Sequence, residues 1–152
     1  MSSLSTIQLA GKEIDHYART LVEVIDGLTE DQLWSTSGGL PNSIGNITRH
    51  LTGNLNHYFG KGILKNDYRR VRDLEFTEKR IPKGQVIDDL KAAVDIAIQA
   101  INSIDENQLD LPYISPDGEL SESLAYHILH MTTHFSLHVG QADFAKTLLQ
   151  SV

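Results

Sequence analysis

Four of the seven histidines in this chain, His127, His130, His134 and His138, fall within twelve consecutive residues; the other three are His16, His50 and His57. Imidazole can ligate a divalent metal ion when neutral and can move a proton near neutral pH. His134 and His138 are four residues apart. On a helix they stand on successive turns, about 6 Å apart along the axis, a spacing at which two rings can chelate one ion. A third ligand must come from another helix, and His50 is the candidate. Three neutral imidazoles that leave positions open describe a catalytic metal site rather than a structural one. Zinc, nickel and iron(II) all accept such ligands. Ring nitrogens about 2.0–2.2 Å from the ion are expected. His130, His57 and His127 are candidates for proton transfer or for orienting the ligands. Each can equally be an ordinary core or surface histidine.

The elements that must position these rings follow from apolar spacing in steps of three and four. Ile7, Ala10, Ile14, Tyr17, Leu21, Val24 and Leu28 predict a helix over 4–28. Thr29-Glu30-Asp31-Gln32 reads as a new cap opening a short turn around Leu33 and Trp34. Ile44, Ile47, Leu51, Leu55 and Tyr58 predict a helix over 43–62, capped near Ser43. Ile87, Leu90, Val94, Ala97, Ile101 and Ile104 predict one over 84–104. Leu124, Ile128, Met131, Phe135, His138, Ala142, Ala145 and Leu149 predict the last, over 121–149. Ile14, Leu21, Leu51, Leu90, Val94, Ile101, Met131 and Phe135 are expected to be buried.

Histidine at 138 breaks an otherwise apolar stripe, and functional sites are where such patterns fail. With about 100° per residue, His127, His134 and His138 share the inward face of the last helix, and Asn54, His50 and His57 lie on the core-facing flank of the second. The charged stretch 64–83 has no clean period and is long enough for a crossover joining two helices that point the same way. Its basic part, Lys65 to Arg72, is followed at once by Asp73 and Glu75 and reads as a solvated or salt-bridged loop. Residues 111–118 form a turn-rich connection. No strand pattern competes, so the fold class is all-α, a four-helix bundle.

The bulk properties exclude other classes. A length of 152 residues suits a single domain over 1–152. No apolar run approaches the roughly 18–20 residues needed to span a bilayer. Met1-Ser2-Ser3-Leu4 lacks a secretory signal pattern. The absence of cysteine removes disulfides, thiolate ligands and a cysteine nucleophile together, and it suits a cytoplasmic protein. A net charge of −7 argues against nucleic-acid binding. A di-iron carboxylate bundle would need two Glu-x-x-His motifs, and the chain offers one, Glu13-Ile14-Asp15-His16.

With His50, His134 and His138 identified, the chain resembles the DinB/YfiT-like superfamily of helical-bundle metalloenzymes. His134-Phe135-Ser136-Leu137-His138-Val139-Gly140-Gln141 looks like the H-x3-H-x-G-Q signature of that family. Residues 44–55, ending Arg49-His50-Leu51-Thr52-Gly53-Asn54-Leu55, look like the segment that supplies its first ligand. Arg70-Val71-Arg72-Asp73-Leu74-Glu75-Phe76 is similar to a crossover segment in one branch. The resemblance implies an up-down-down-up bundle, one divalent ion held by three histidines and a homodimer.

Relatives of that kind include transferases that use low-molecular-weight thiols, so a metal-dependent thiol S-transferase acting on a small molecule is the expected function. A bound cation would lower the pKa of a coordinated thiol, and with no cysteine in the chain the thiol must come from a cosubstrate. The competing expectations are a metal-dependent hydrolase that activates water and a non-enzymatic, stress-associated binding protein that retains the pocket. Gly53 and Gly140 stand inside helices at a cost of about 1 kcal/mol each against alanine, which close helix contact or room beside the metal would explain.

Overall fold

The computed structural model describes residues 5–151. The expected helix start at Leu4 and the Met1–Leu4 segment lie outside them. Helix α1 spans Thr6–Asp26, with Ser5 and Gln8 forming a reciprocal capping box. The short α2, Glu30–Leu33, opens on a second such box between Thr29 and Gln32. Ser43 caps α3, Ile44–Asn54, by accepting from the Asn46 amide. Its last turns, Leu55–Lys61, widen into a π-helix, where the Gly62 amide reaches the His57 carbonyl. Helix α4 is Arg72–Thr77, α5 is Lys83–Asn102 and α6 is Leu124–Gln150, capped by Ser123.

The protein is mostly helical, and the four long spacing-derived helices are present. Three details differ from expectation. The crossover stretch carries α4. Residues 113–121 form a small hairpin, β1 (Tyr113–Ile114) paired antiparallel with β2 (Leu120–Ser121). Helix α6 therefore begins after β2 and not at Ser121. Strands of two residues are too short for alternation to register in a sequence.

Helix α1 packs against α5 and α6, and α3 packs against α5, α6 and α4. Ile14, Leu21, Leu51, Leu90, Val94, Ile101 and Phe135 are buried at their centre. Met131 is not buried as expected: it is half-exposed and lines a cavity. The core face of α6 is turned relative to the expected stripe, so that Thr132 and Val139 are buried where Met131 and His138 were expected. Those two sit on the flank, beside the cavity. Among the described residues no helix is long and apolar enough to cross a membrane.

Candidate metal centre

His50 comes from the middle of α3, and His134 and His138 from successive turns of α6. The three rings offer nitrogens that all lie within 4.8 Å of one another. His50 is buried, and the other two are half-buried. Nε2 of His134 stands 3.2 Å from Nε2 of His138. They form one wall of a cavity of about 500 Å³, whose other walls include Tyr58, Arg70, Phe76 and the hairpin residues Ser115 and Glu119.

Two of the rings are fixed from behind. Nδ1 of His50 donates to Oε2 of Glu75 at 3.0 Å, and Nδ1 of His138 donates to Oε1 of Gln141 at 2.7 Å. A proton held on Nδ1 leaves the Nε2 lone pair free, so both rings turn a lone pair toward the shared point, the arrangement by which outer partners set the tautomer of ligating histidines. Asn54, one turn beyond His50 and also buried, places its Nδ2 at 3.3 Å from both Nε2 of His50 and Nδ1 of His134.

Glu75 is the buried anion of the site. Arg70 grips it at 2.6 Å from Nε and 2.9 Å from Nη2. Burial alone would raise the Glu75 pKa, but hydrogen bonds from His50 and Arg70 outweigh it and hold the carboxyl below its usual range. Gly53 makes room for this pair: a Cβ there would collide with Oε1 of Glu75. Asn46 adds a clamp, donating from Nδ2 to the carbonyls of Glu75 and Glu78 and so tying α4 to α3.

Two of the imidazoles are held neutral. Burial, and then the charge of neighbouring rings, push His134 down to about 4. Burial also lowers His138, opposed by its bond to Gln141. Three imidazoles, two of them with lone pairs fixed on one point beside an open cavity, fit a divalent ion by the chemistry of the donor set.

The remaining histidines divide. His127 is buried and lines the cavity; its Nε2 has no partner among the described residues, and burial pushes it down to about 4. His130 is exposed and also lines the cavity. His57 does not line it. Its Nε2 bonds Oδ1 of Asp117 at 2.9 Å, while the Tyr58 hydroxyl donates to Oδ2 at 2.8 Å, and together they pin the hairpin tip to the π-turn. Burial and the bond to Asp117 push Tyr58 up to about 12.

The sequence places Asn54 on the core-facing flank of the second helix, and Arg70 and Glu75 in the crossover segment that carries part of the resemblance, but assigns none of them, nor Tyr58, a role at the site. Gly53 is a further signal, a glycine that a helix interior disfavours unless something must approach closely, and what approaches is Glu75. The Lys65–Arg72 stretch is salt-bridged at Arg70, a half-buried residue, and solvated at Lys65, Arg69 and Arg72.

A family model described as "Protein of unknown function (DUF1572)" matches residues 3–151. No curated protein sequence matches the chain. The crystal structure of a conserved protein from Enterococcus faecalis is similar with a TM-score of 0.73, over 99% of this chain and 100% of that one, at 16% identity. At that identity the likeness is one of fold.

Proposed function

The chain belongs to the DUF1572 family, and we propose that it is a metal-dependent enzyme of the DinB-like class, an up-down-down-up four-helix bundle that holds one zinc, nickel or iron(II) ion on His50, His134 and His138. The observation that carries this proposal is the convergence of three imidazole rings from two helices, with Glu75 and Gln141 fixing the tautomers of two of them.

The reaction we infer is transfer of a low-molecular-weight thiol. A divalent cation, when bound, favours the thiolate of a coordinated thiol at neutral pH. The protein supplies the rest. Glu75 and Gln141 aim the rings, Phe76 and Met131 give the cosubstrate apolar wall, and Arg72 and Glu119 put one charge of each sign along the cavity. The thiol sulfur forms the new bond, the leaving group departs with its electron pair, and the thiol proton passes to solvent.

His127 favours a second reading, hydrolysis. Its neutral ring lines the cavity, and its Nε2, unpartnered and closed to solvent, would take a proton from water once a small opening of the cavity wall uncovers it.

We also propose a homodimer, formed by a second copy seated on α6. Tyr126, Leu129, Leu137 and Phe144 are 48%, 56%, 61% and 66% exposed. With Thr133 and Gly140 they form one stripe at helical spacing. From Leu124 to Ala142 there is no Asp, Glu, Lys or Arg. In a chain of net charge −7 this is a face on which two copies meet without like-charge repulsion, as a two-fold contact of one patch with itself requires. The lack of cysteine suits the cytoplasm.

The test of function is turnover. Zinc-loaded protein is given a panel of low-molecular-weight thiols with an electrophilic acceptor and, separately, esters and amides. Thiol consumption that disappears in His50→Ala supports transfer, and ester or amide cleavage that falls in His127→Phe supports hydrolysis. Metal binding with neither activity leaves a non-catalytic metal-binding protein.

A further inference from the structure

Three side chains of fixed charge, Arg70, Arg72 and Glu119, line the cavity in front of the histidines. Their situations differ. Arg70 is taken up by Glu75, which accepts from both its Nε and its Nη2. Arg72 and Glu119 form no ion pair among the described residues, either with each other or with a third group. The cavity therefore presents one uncompensated cation and one uncompensated anion.

Both charges are held in place from separate elements. Arg72 opens α4, and its guanidinium carbon stands 5.5 Å from the centre of the Phe76 ring, one turn on. Phe76 packs in turn against His50, with 5.1 Å between ring centres, so a single aromatic ring separates the cation from the histidine. Glu119 belongs to the hairpin. Its amide donates to Oγ of Ser115 at 3.2 Å, and its carbonyl accepts from the Ser115 amide at 2.9 Å. Ser115 is buried, and Asp117, in the same turn, is bonded by His57 and Tyr58. The turn that carries Glu119 is thus fixed against the π-turn of α3.

Two opposite charges kept apart on different walls of one cavity discriminate among ligands. A neutral molecule gains from neither. A singly charged one is attracted by one wall and repelled by the other. A molecule with a charge of each sign pairs with both, so the selection works by attraction and by repulsion together. The volume, about 500 Å³, is in the range of small-molecule sites. We propose that Arg72 and Glu119 are specificity-determining residues that select a zwitterion: the thiol taken by this cavity carries a carboxylate, met by Arg72, and an ammonium group, met by Glu119, with its sulfur toward the three histidines. This inference rests on the thiol reading of the preceding section.

The test uses four thiols of similar size as probes: cysteine, a zwitterion; 3-mercaptopropionate, an anion; cysteamine, a cation; and 2-mercaptoethanol, which is neutral. Their affinities for the zinc-loaded, full-length parent, Arg72→Gln and Glu119→Gln are measured by calorimetry at neutral pH. Each comparison is made between proteins for one probe, so differences in thiol acidity among the probes cancel. Arg72→Gln should weaken cysteine and 3-mercaptopropionate about 2–5-fold, the scale of an exposed ion pair, and tighten cysteamine. Glu119→Gln should weaken cysteine and cysteamine by a similar factor and tighten 3-mercaptopropionate. The affinity for 2-mercaptoethanol should be the same in all three proteins, and the differences should shrink at high salt. A substitution that merely disturbed the cavity wall would shift all four probes alike. Equal shifts for all four, or unchanged affinities in both variants, overturn the charge selection and leave the thiol reading standing. A zinc-loaded parent that binds none of the four overturns both.

Discussion

Glu75, in a short helix of the crossover, accepts a hydrogen bond from His50, twenty-five residues earlier in the chain, at 3.0 Å. Through this contact the crossover takes part in the site. Arg70 holds the carboxylate in place, and both charged side chains are nearly buried, at 9% and 6% exposed for Arg70 and Glu75. Glu75→Ala leaves Arg70 as an unpaired buried cation, a loss of about 3–5 kcal/mol. It also leaves Nδ1 of His50 without its acceptor, which should lower zinc affinity about 10–100-fold. Chemical denaturation and zinc titration of the variant check the two effects separately, and parent-like values in both would contradict the role given to Glu75.

Gly53→Ala separates site geometry from helix stability. Alanine should favour the isolated helix by about 1 kcal/mol, yet its Cβ would collide with Oε1 of Glu75. The variant should remain helical by circular dichroism while binding zinc more weakly, because Glu75 must withdraw from His50. Unchanged zinc affinity would show that Glu75 can shift without disturbing the ring.

Stability of the ion-free protein should depend on pH through its buried imidazoles. His127 and His134 are pushed down to about 4 in the folded state, against about 6.5 in an unfolded chain. Between these values the unfolded chain binds more protons, so stability is full above about pH 6.5 and is lost as the pH falls toward about 4. Melting in the presence of a chelator should show a fall of about 2–4 °C for each kcal/mol lost. In His127→Phe the slope should be shallower. Glu75, held below its usual range, acts in a lower window: its contribution is present above about 4.5 and is lost below that. A flat profile between pH 7 and 5 would contradict the neutral, desolvated state assigned to these rings.

The assembly is tested on α6. Light scattering of the parent at micromolar concentration should give a dimer mass, and Leu137→Glu and Phe144→Glu should each give a monomer of unchanged helicity. A parent that is monomeric throughout, or a charged variant that stays dimeric, refutes the α6 contact.

The long helices were legible because their apolar steps run over about four to seven turns, with a single break at His138. The phase of α6 was less so. Leu129, Leu137 and Phe144 make it apolar on a second side, so periodicity alone could not decide that Val139 and Thr132, and not His138 and Met131, face the core. The pairing of His134 with His138 was legible because four-residue spacing is a property of the helix itself. The partner His50 was reachable from its flank on α3. Glu75 was not, since a six-residue helix inside an aperiodic, charged stretch gives no pattern and its contact is set by tertiary packing. The hairpin that carries Asp117 to Tyr58 and His57 was hidden for the same reason, with two residues in each strand.

Metal content tests the central claim most directly. Protein purified without a histidine tag, loaded with zinc and freed of excess by gel filtration, should hold one equivalent per chain by elemental analysis. His50→Ala and His138→Ala should each bind zinc more than about 100-fold more weakly, beyond the effect of losing an outer partner, while keeping the helicity of the parent. A parent that retains no zinc, or a His138→Ala protein that retains the full equivalent, contradicts the three-histidine centre.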